Sequence, residues 1–290
     1  RNTTITNNKA LYGDGGGFYN LAIYNIVLTK IHNNSARENG GFVYVDMMYE
    51  NKLRIIKSSV KNNIAKTKSG GVMIIHNVLP DGLFVDIEGT QYVQNQAGMS
   101  GGMMQINGSN LRFSVLNSTL KENTASNGDG GCIFGRSDIT MDIQNTNIVS
   151  NQAGKNGGCM SFGDDTNINI SSCILDKNIA NQSGGIMYMK TRSYMHLVRN
   201  TTITNNKAIY RDGGGFYNLA IYNIVSTTIH NNSARENGGF LYVDMMYENK
   251  LRIIQSSFRN NIAKTKSGGV MIIHNVLPDG LFVDIEGTQY

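Results

Sequence analysis

The segment Val60 to Ile74, VKNNIAKTKSGGVMI, contains the pattern that decides the fold. An apolar residue, Val60, is followed by Asn63 and Ala65, and a polar stretch then leads to two glycines and another apolar residue. The part from the apolar residue to the alanine occurs ten times, with its asparagine at Asn8, Asn34, Asn63, Asn95, Asn123, Asn151, Asn178, Asn206, Asn232 and Asn261. Self-similarity of this kind marks a repeat architecture, so one structural unit is expected to account for the whole chain.

A Gly-Gly pair followed by an apolar residue comes after every one of these asparagines. The pairs end at Gly17, Gly41, Gly71, Gly102, Gly131, Gly158, Gly185, Gly215, Gly239 and Gly269. Seven units therefore fill 198 residues, about 28 residues each. That length suits one coil of a β-solenoid.

A longer repeat contains these units, because residues 1–92 reappear as residues 199–290 with only eight differences. We expect one continuous solenoid over residues 1–290, with one full period at 1–198, the start of the next at 199–290, and continuation into further coils. The duplication also bears on GDGGGF at residues 13–18, which has the glycine content of a phosphate-binding loop. Its copy at 211–216 has Arg211 in place of Gly13, which indicates a surface corner rather than a nucleotide-binding loop.

Within each unit the apolar residues alternate, as expected for β-strands with one face in a core. The second and fourth residues after Gly-Gly are apolar, for example Met73 and Ile75. A second strand carries an apolar pair such as Leu53 and Ile55, followed by a small residue such as Ser58. The segment from the apolar residue to the alanine makes a short third strand. The predicted fold is therefore an all-β parallel solenoid of about ten coils with three strands in each.

Stacking of the coils explains why asparagine recurs. Coils about 4.8 Å apart in parallel, in-register ladders place like residues on like. A column of asparagines can then hydrogen-bond amide to amide along the axis while it satisfies turn backbone that would otherwise be buried unpaired. The ten asparagines are predicted to form such a ladder, and Gly-Gly to permit a positive φ or a close backbone approach at another corner.

Two units, Val60 to Ile74 and Phe258 to Val270 (FRNNIAKTKSGGV), resemble the paired Phe-x-x-Asn and Gly-Gly-Ala-Ile motifs of polymorphic outer-membrane protein repeats. Those repeats belong to the pectate-lyase-like group of parallel β-helices. The resemblance extends over the entire chain, although Phe is rare at the first position and Ala never follows Gly-Gly. It implies a right-handed parallel β-helix with three sheets, in a secreted or surface-displayed protein of adhesive or structural role. It assigns no catalytic residue.

The composition argues against several classes of function. Charged residues make up 16% of the chain, and the net charge of +5 is scattered, which argues against a nucleic-acid partner. No apolar run approaches the ~18 to 20 residues of a membrane span. The three cysteines, Cys132, Cys159 and Cys173, lack the spacing of a zinc site or of a dense disulfide framework. Cys132 and Cys159 are expected to stack in consecutive coils, as free thiols in preference to a disulfide.

Candidate catalytic and metal-binding residues are few, and each has a simpler structural interpretation. Asp164 and Asp165 are adjacent, so they read as a turn pair rather than as a pair of catalytic acids. His76 and His274 each end a strand before the turn sequence NVLPDG and are expected at the surface. Asp14 and its copy lie outside any repeating aspartate ladder of the kind that binds calcium. No catalytic, cofactor or metal site is predicted.

Eight Asn-x-Ser/Thr sequons occur in this asparagine-rich chain, and each is a candidate for N-glycosylation. Asn107 and Asn181 are the strongest candidates, because a turn and a loop are expected to expose them. The other candidates are Asn33, Asn117, Asn169 and Asn231.

The residues that alternate with the core after Gly-Gly are also mostly apolar. Strand alternation predicts that an outward face is formed by Phe42, Tyr44, Val72, Ile74, Met103, Phe134, Ile186 and Tyr188. A sheet that is apolar on both faces is normally covered on both, and an uncovered apolar patch marks an interface. We therefore expect these residues to pair sideways with like chains.

Together these observations predict a non-enzymatic structural repeat protein that builds an extracellular fibre or surface coat by coil stacking and lateral self-association, with covalent glycans on some sequons. A second hypothesis is a surface adhesin that binds glycans or host proteins through loops such as NVLPDG and DMMYENK. A third is a polysaccharide lyase or hydrolase. The near-identical duplication argues against this third hypothesis, because a catalytic cleft needs one unique acidic cluster.

Overall fold

The computed structural model describes residues 3–20, 24–48, 52–78, 81–245, 250–275 and 282–289. In these ranges the chain forms short β-strands joined by turns, without helices. The strands pair in parallel and build four sheets that run along the whole stack. The chain is therefore a parallel β-solenoid, and the all-β fold of stacked coils predicted from the repeats is confirmed.

Each coil contributes one strand to each sheet, and coils 1 to 10 are numbered in chain order. Sheet 1 holds the apolar residue before each asparagine; its strands are Thr4–Thr6, Lys30–His32, Ser59–Lys61, Gln91–Val93, Thr119–Lys121, Asn147–Val149, Ile174–Asp176, Thr202–Thr204, Thr228–His230 and Ser257–Arg259. Sheet 2 holds the alanine; its strands are Lys9–Ala10, Ser35–Ala36, Ile64–Ala65, Gln96–Ala97, Thr124–Ala125, Gln152–Ala153, Ile179–Ala180, Lys207–Ala208, Ser233–Ala234 and Ile262–Ala263.

The other two sheets follow the glycine pair. Sheet 3 consists of Phe18–Tyr19, Val43–Met48, Met73–Val78, Met104–Ile106, Ile133–Gly135, Met160–Phe162, Met187–Met189, Phe216–Tyr217, Leu241–Met245 and Met271–Asn275. Sheet 4 consists of Asn25–Val27, Lys52–Ile56, Leu83–Glu88, Leu111–Leu116, Ile139–Gln144, Thr166–Ser171, Tyr194–Arg199, Asn223–Val225, Lys250–Ile254 and Phe282–Glu286, with Ala220–Ile221 as an additional short strand in coil 8.

The third strand predicted for each coil is divided into two, so a coil has four strands instead of three. The residue before each ladder asparagine has a left-handed backbone, as at Asn62 (φ 56°) and Glu122 (φ 55°). A left-handed residue turns the chain sharply and ends the strand. Sheets 1 and 2 are consequently separate faces that meet at the asparagine corner.

The asparagine ladder runs without a break from coil 1 to coil 10. In coil 4 the Asn95 Nδ2 donates to Asn123 Oδ1 (2.9 Å) and to the carbonyl of Val60 (3.0 Å). Its Oδ1 accepts from the backbone N–H (3.1 Å) and the Nδ2 (3.0 Å) of Asn63. Every hydrogen-bonding position of the amide is used, so asparagine can be completely buried here without cost from unpaired polar atoms. The predicted ladder is confirmed.

A second polar column occupies the corner between sheets 4 and 1, where the sequence predicts only a small inward residue. The backbone N–H of Ser58 donates to Thr90 Oγ1, and that of Thr90 donates to Ser118 Oγ, both at 3.2 Å. Each hydroxyl also donates to the carbonyl two residues before it, as Ser118 does to Leu116 at 2.7 Å. Serine and threonine therefore satisfy buried backbone at this corner, as asparagine does at the other.

The glycine pair forms the corner between sheets 2 and 3. Its first glycine has a positive φ, as at Gly70 (68°). Its second lies against the next coil, where a Cβ on Gly71 would overlap the carbonyl oxygen of Gly102. In coils 1 and 8 the pair that takes these places is shifted by one residue from the prediction: it is Gly15–Gly16 in coil 1 and Gly213–Gly214 in coil 8.

The stack continues through the boundary between the two long periods, at coils 7 and 8. Leu175 pairs with Ile203 in sheet 1 and Ala180 with Ala208 in sheet 2. Sheet 4 is less regular near the boundary, because its register shifts after Ile168 between coils 6 and 7, and two short strands of coil 8 pair with the one strand of coil 7. Apolar side chains from sheets 1, 3 and 4 fill the interior on both sides of the boundary, and each contributes about 1.5 to 3 kcal/mol.

Candidate functional site

The first residue after each glycine pair points into the core, which corrects half of the predicted lateral interface. Phe42, Met103 and Ile186 have no exposed surface, and Val72 is 4% exposed. The backbone N–H groups of Phe42 and Val43 both donate to the carbonyl of Val72, at 2.9 Å each. The chain is bent at that point, so alternation begins one residue later than predicted. These four side chains are core residues and are not accessible to a partner.

The outward face of sheet 3 is formed by the third residue after each glycine pair, and we call these residues the outer column. In order of the coils they are Tyr19, Tyr44, Ile74, Gln105, Phe134, Ser161, Tyr188, Tyr217, Tyr242 and Ile272. Four residues of the predicted interface lie in it. Tyr44, Phe134 and Tyr188 are half-buried, whereas Ile74 is 1% exposed. Lateral pairing through this face stays a prediction.

Aromatic rings stack face to face along the outer column. Tyr188 and Tyr217 have ring centroids 4.9 Å apart and planes 8° apart, and Tyr217 repeats this arrangement with Tyr242 (4.9 Å, 9°). His274 packs against Tyr242 at 5.2 Å, and His76 packs in the same way on Tyr44. Burial, followed by the neighbouring rings, raises the pKa of Tyr217 well above its ordinary value. The two histidines are thus parts of aromatic stacks.

A groove of about 450 Å³ opens on the outer column at coils 5 to 7. Phe134 and Tyr188 contribute to its lining, and Ser161, in register between them, is only 3% exposed. The polar and charged residues that line it are Asp129, Arg136, Ser137, Asn156, Asp164 and Lys190.

The acidic groups of the groove are held in place by hydrogen bonds. Asp129 Oδ1 accepts from the backbone N–H (2.9 Å) and the Nδ2 (3.0 Å) of Asn156. Asp164 Oδ1 accepts from the hydroxyl of Thr191. Burial raises the pKa of Tyr188, and the charge of Asp129 acts in the same direction. The groove therefore has fixed acceptors beside an un-ionised phenol.

Asp129 belongs to a third polar column, just before the glycine pairs, which the sequence analysis missed. It consists of Asp14, Asn39, Ser69, Ser100, Asp129, Asn156, Ser183, Asp212, Asn237 and Ser267. In each step a backbone N–H donates to the side-chain oxygen of the preceding coil. Asp14 Oδ1 accepts two bonds from Asn39, at 2.7 and 2.9 Å. The aspartate of GDGGGF is thus a structural acceptor, and alignment of the residues before each glycine pair reveals the column.

The sequons differ in exposure from the expectation. Asn107 and Asn181, the strongest sequence candidates, were predicted to be exposed, but both are half-buried. Asn169 lies within a strand of sheet 4, and its Nδ2 donates to Asp142 Oδ1 at 3.0 Å. The exposed sequon asparagines among the predicted sites are Asn33, Asn117 and Asn231. Attachment of glycans stays a prediction.

The three cysteines are free and buried. Cys132 and Cys159 stack in consecutive coils with their Sγ atoms 3.1 Å apart. Burial, and secondarily the contact with Cys132, raises the pKa of the Cys159 thiol. Cys173 replaces a serine or threonine of the hydroxyl column and keeps its contact with the carbonyl two residues earlier, at 3.1 Å from Ser171. All three have structural positions.

The adjacent aspartates behave as the turn pair that the sequence predicts. Asp165 has a left-handed backbone (φ 58°) and pairs with Arg192 at 3.1 Å, whereas Asp164 accepts from Thr191. Among the described residues no group of three or more His, Cys, Asp or Glu could hold a metal ion. In the same part of the chain no helix is long and apolar enough to cross a membrane.

Comparison of the chain with protein-family models, with curated proteins and with solved structures found no match in any of the three.

Proposed function

We propose that the protein is a non-enzymatic structural component of an extracellular fibre or surface coat, built by stacking of its coils into a rod. The observation that carries the proposal is the continuity of the ladders across the boundary between the two long periods. Asn178 Nδ2 donates to Asn206 Oδ1 at 3.0 Å, and Asn206 Nδ2 donates to Asn232 Oδ1 at 2.9 Å. These distances match those inside the first period, so at the asparagine corner one period follows the next without interruption.

The hydrogen bonds of such a rod are directed along its axis. Four parallel sheets and three polar columns connect each coil to the next, so a pulling force is shared among many parallel bonds. Seven coils advance by about 34 Å at a spacing of about 4.8 Å. Length can then grow by duplication of a period while the cross-section stays constant, which suits a load-carrying or covering material.

Lateral association and an extracellular location are the finer parts of the proposal. Their support is the tyrosine-rich outer column, the exposed sequon asparagines, and the resemblance to polymorphic outer-membrane protein repeats of the right-handed β-helix group. Tyrosine is favoured at protein interfaces, because its ring is apolar and its hydroxyl finds polar partners. The column members with accessible surface are Tyr19, Tyr44, Gln105, Phe134, Tyr188, Tyr217, Tyr242 and Ile272.

The rod is tested by adding one period. A chain with an extra copy of the 198-residue period, inserted between Val198 and Arg199, should be longer by about 34 Å at unchanged cross-section. Small-angle X-ray scattering of the two chains measures both dimensions. An increase in cross-section, or a flexible pair of separate bodies, would contradict continuous stacking.

A surface adhesin is the second candidate, and the groove at coils 5 to 7 is the observation that favours it. The loops originally expected to carry adhesion, NVLPDG and DMMYENK, lie partly outside the described residues. Exchange of groove residues that abolishes attachment of the protein to glycan-bearing cells, with the rod intact, would support this function. A polysaccharide-cleaving enzyme is the third candidate, and turnover of a polyuronate by the purified protein would revive it.

A further inference from the structure

The corner between sheets 4 and 1 carries a groove of about 310 Å³ at coils 2 to 4, which we call the first corner groove. Thr29 and Ser58 are its buried floor, and its exposed lining residues are Leu28, Lys30, Lys57, Gly89 and Gln91. An equivalent groove of about 320 Å³, the second corner groove, begins at coil 9. Each of its eight lining residues lies 198 positions after one that lines the first. The duplication therefore gives the chain the same surface feature twice.

The two corner grooves differ in charge. Residues 1–92 and 199–290 differ at only eight of 92 positions, yet three of the eight differences fall among the eight lining positions of the groove. The three differences are Leu28/Ser226, Lys30/Thr228 and Lys57/Gln255. The first corner groove thus has two cations and a leucine where the second has neutral polar side chains. Because both sets of residues fit the same fold, the differences bear on what each groove contacts.

The lysines of the first corner groove are not neutralised by the protein. Among the described residues neither Lys30 nor Lys57 forms an ion pair, and the lining of the groove contains no carboxylate. Burial, followed by the charges of Lys61 and Lys30, lowers the pKa of His32 beside the groove. At its copy, His230, no lysine contributes. The first corner groove therefore has a positive potential that attracts anions.

The donors of this groove come from three successive coils. Lys30 is in register with Ser59, which is in register with Gln91. Lys57 has a left-handed backbone (φ 46°) and lies two residues before Ser59. A Cβ on Gly89 would lie 3.3 Å from the Cγ of Lys57, so the glycine makes room for the lysine stem. Two ammonium groups and the Gln91 amide therefore line one space.

This set of donors suits a tetrahedral oxyanion. Lysine acts as a point charge with three N–H donors, and it binds groups that have several terminal oxygens. The planar carboxylate is matched best by the fork of an arginine side chain, and no arginine lines the first corner groove. A sulfate ester offers its terminal oxygens to ammonium and amide groups together, so it fits these donors better than a carboxylate does.

The shape of the surface favours a sugar as the carrier of that anion. A depression of about 220 Å³ shares Leu28 and Lys30 with the first corner groove and extends it to Thr4 in coil 1. Leu28 is 45% exposed and offers an apolar contact to sugar C–H groups. No aromatic ring lines this surface for nucleobases to stack on. The strand Lys30–His32 is already paired on both sides, so a peptide cannot add to it as a strand.

We propose that the first corner groove binds a sulfate group of a sulfated glycan that lies along the axis of the solenoid. Lys30 and Lys57 hold the sulfate, and Leu28 contacts the sugar. The second corner groove, which lacks all three residues, does not bind it. This activity goes beyond the structural role of the rod and does not depend on it.

The test is calorimetric titration of the purified chain with sucrose octasulfate, a small sulfated saccharide, at low ionic strength, where charges are least screened. Sucrose, sodium sulfate, trigalacturonate and a short thymidine oligonucleotide are the comparison ligands. They represent the sugar alone, the free anion, a carboxylated glycan and a nucleic acid. One equivalent of sucrose octasulfate should bind, at least about tenfold more tightly than any comparison ligand.

The duplication supplies variants that the fold already accepts. Lys30→Thr combined with Lys57→Gln converts the charged positions of the first corner groove into those of the second and should weaken binding at least about tenfold. The reverse change, Ser226→Leu with Thr228→Lys and Gln255→Lys, should create a second site, so that two equivalents bind.

A control variant removes the same net charge elsewhere. Lys155→Gln combined with Lys264→Gln changes two exposed lysines outside both grooves, neither of which forms an ion pair among the described residues. This variant should bind as the unchanged protein does. Circular dichroism checks the fold of every variant.

Several results would overturn the proposal. They are the absence of sucrose octasulfate binding, an equal loss of affinity in the groove variant and the control variant, or a single equivalent bound by the reverse variant. Equally tight binding of sodium sulfate would reduce the site to one for a free anion. Equally tight binding of trigalacturonate or of the oligonucleotide would reject the sulfated glycan as the ligand. None of these results bears on rod formation, which depends on the ladders and not on the grooves.

Discussion

Tyr92 is a polar residue at a place that is apolar in the other coils. Its side chain is 1% exposed, and its hydroxyl has no hydrogen-bond partner in the part of the chain that the structure describes. Burial raises the pKa of Tyr92 well above its ordinary value. An unpaired buried hydroxyl costs about 1 to 3 kcal/mol. Burial of the Tyr92 ring therefore stabilises the fold, whereas its hydroxyl destabilises it.

Replacement of Tyr92 by Phe should therefore raise the free energy of unfolding by about 1 kcal/mol. Tyr92 stays neutral in the folded state above pH ~10, where the unfolded chain ionises, so its contribution to stability falls as pH rises. The Tyr92→Phe variant should lack the part of the stability loss at alkaline pH that comes from ionisation of Tyr92 in the unfolded chain. Urea unfolding at neutral and alkaline pH measures both effects, and a loss of stability in the variant at neutral pH would show that the hydroxyl has a partner.

The cysteines should be unreactive in the folded protein. Thiolate is the reactive form, and burial raises the pKa of both Cys159 and Cys173. A coloured disulfide reagent should detect almost no thiol in the native protein and three thiols per chain after unfolding without reductant. Detection of one thiol in the unfolded chain would indicate that Cys132 and Cys159 are joined.

At the scale of the element, the asparagine corner should be the most sensitive to substitution. Loss of the Asn123 amide removes the acceptor of the backbone N–H and of one Nδ2 hydrogen of Asn95, and it removes a donor to the Tyr92 carbonyl, in a completely buried place. Asn123→Ala should lower the free energy of unfolding by at least about 3 kcal/mol. Asn8→Ala, at the exposed end of the same ladder, is the control and should cost much less. Equal effects would mean that the ladder does not stabilise the interior.

The glycine corner gives a matched pair of substitutions. A Cβ on Gly131 would overlap the carbonyl oxygen of Gly158 and would lie 2.6 Å from that of Gln152, whereas a Cβ on Gly13 would meet nothing within 4 Å. Gly131→Ala should cost on the order of 3 kcal/mol, and Gly13→Ala should change stability by no more than about 0.5 kcal/mol. Thermal unfolding compares them, and a tolerated Gly131→Ala would reject the close packing of this corner.

The corners also show what a single sequence can and cannot predict. Asparagine and glycine were predictable because identical residues recur at identical places, and the recurrence itself implies stacking. The direction of Phe42 was not predictable, because strand alternation fails where two N–H groups share the carbonyl of Val72. A bend in the backbone where a strand begins cannot be recognised from the order of the apolar residues.

At the scale of the whole molecule, the period of 198 residues fixed the number of coils, and the structure divides each coil among four sheets. The groove was missed for a simple reason. Its lining residues belong to consecutive coils and are far apart in the sequence, so they become neighbours only after the coils are aligned in register. The register of the outer column depends on the glycine pairs, which in coils 1 and 8 lie one residue earlier than the repeat pattern predicts.

The central claim is that coils stack along one axis with a seven-coil period. Fibre diffraction from concentrated, oriented protein tests it most directly. The expected pattern has an axial reflection at about 4.8 Å from successive coils and a second axial spacing of about 34 Å from the long period. A 4.8 Å reflection perpendicular to the fibre axis, or the absence of the 34 Å spacing from ordered fibres, would contradict the account.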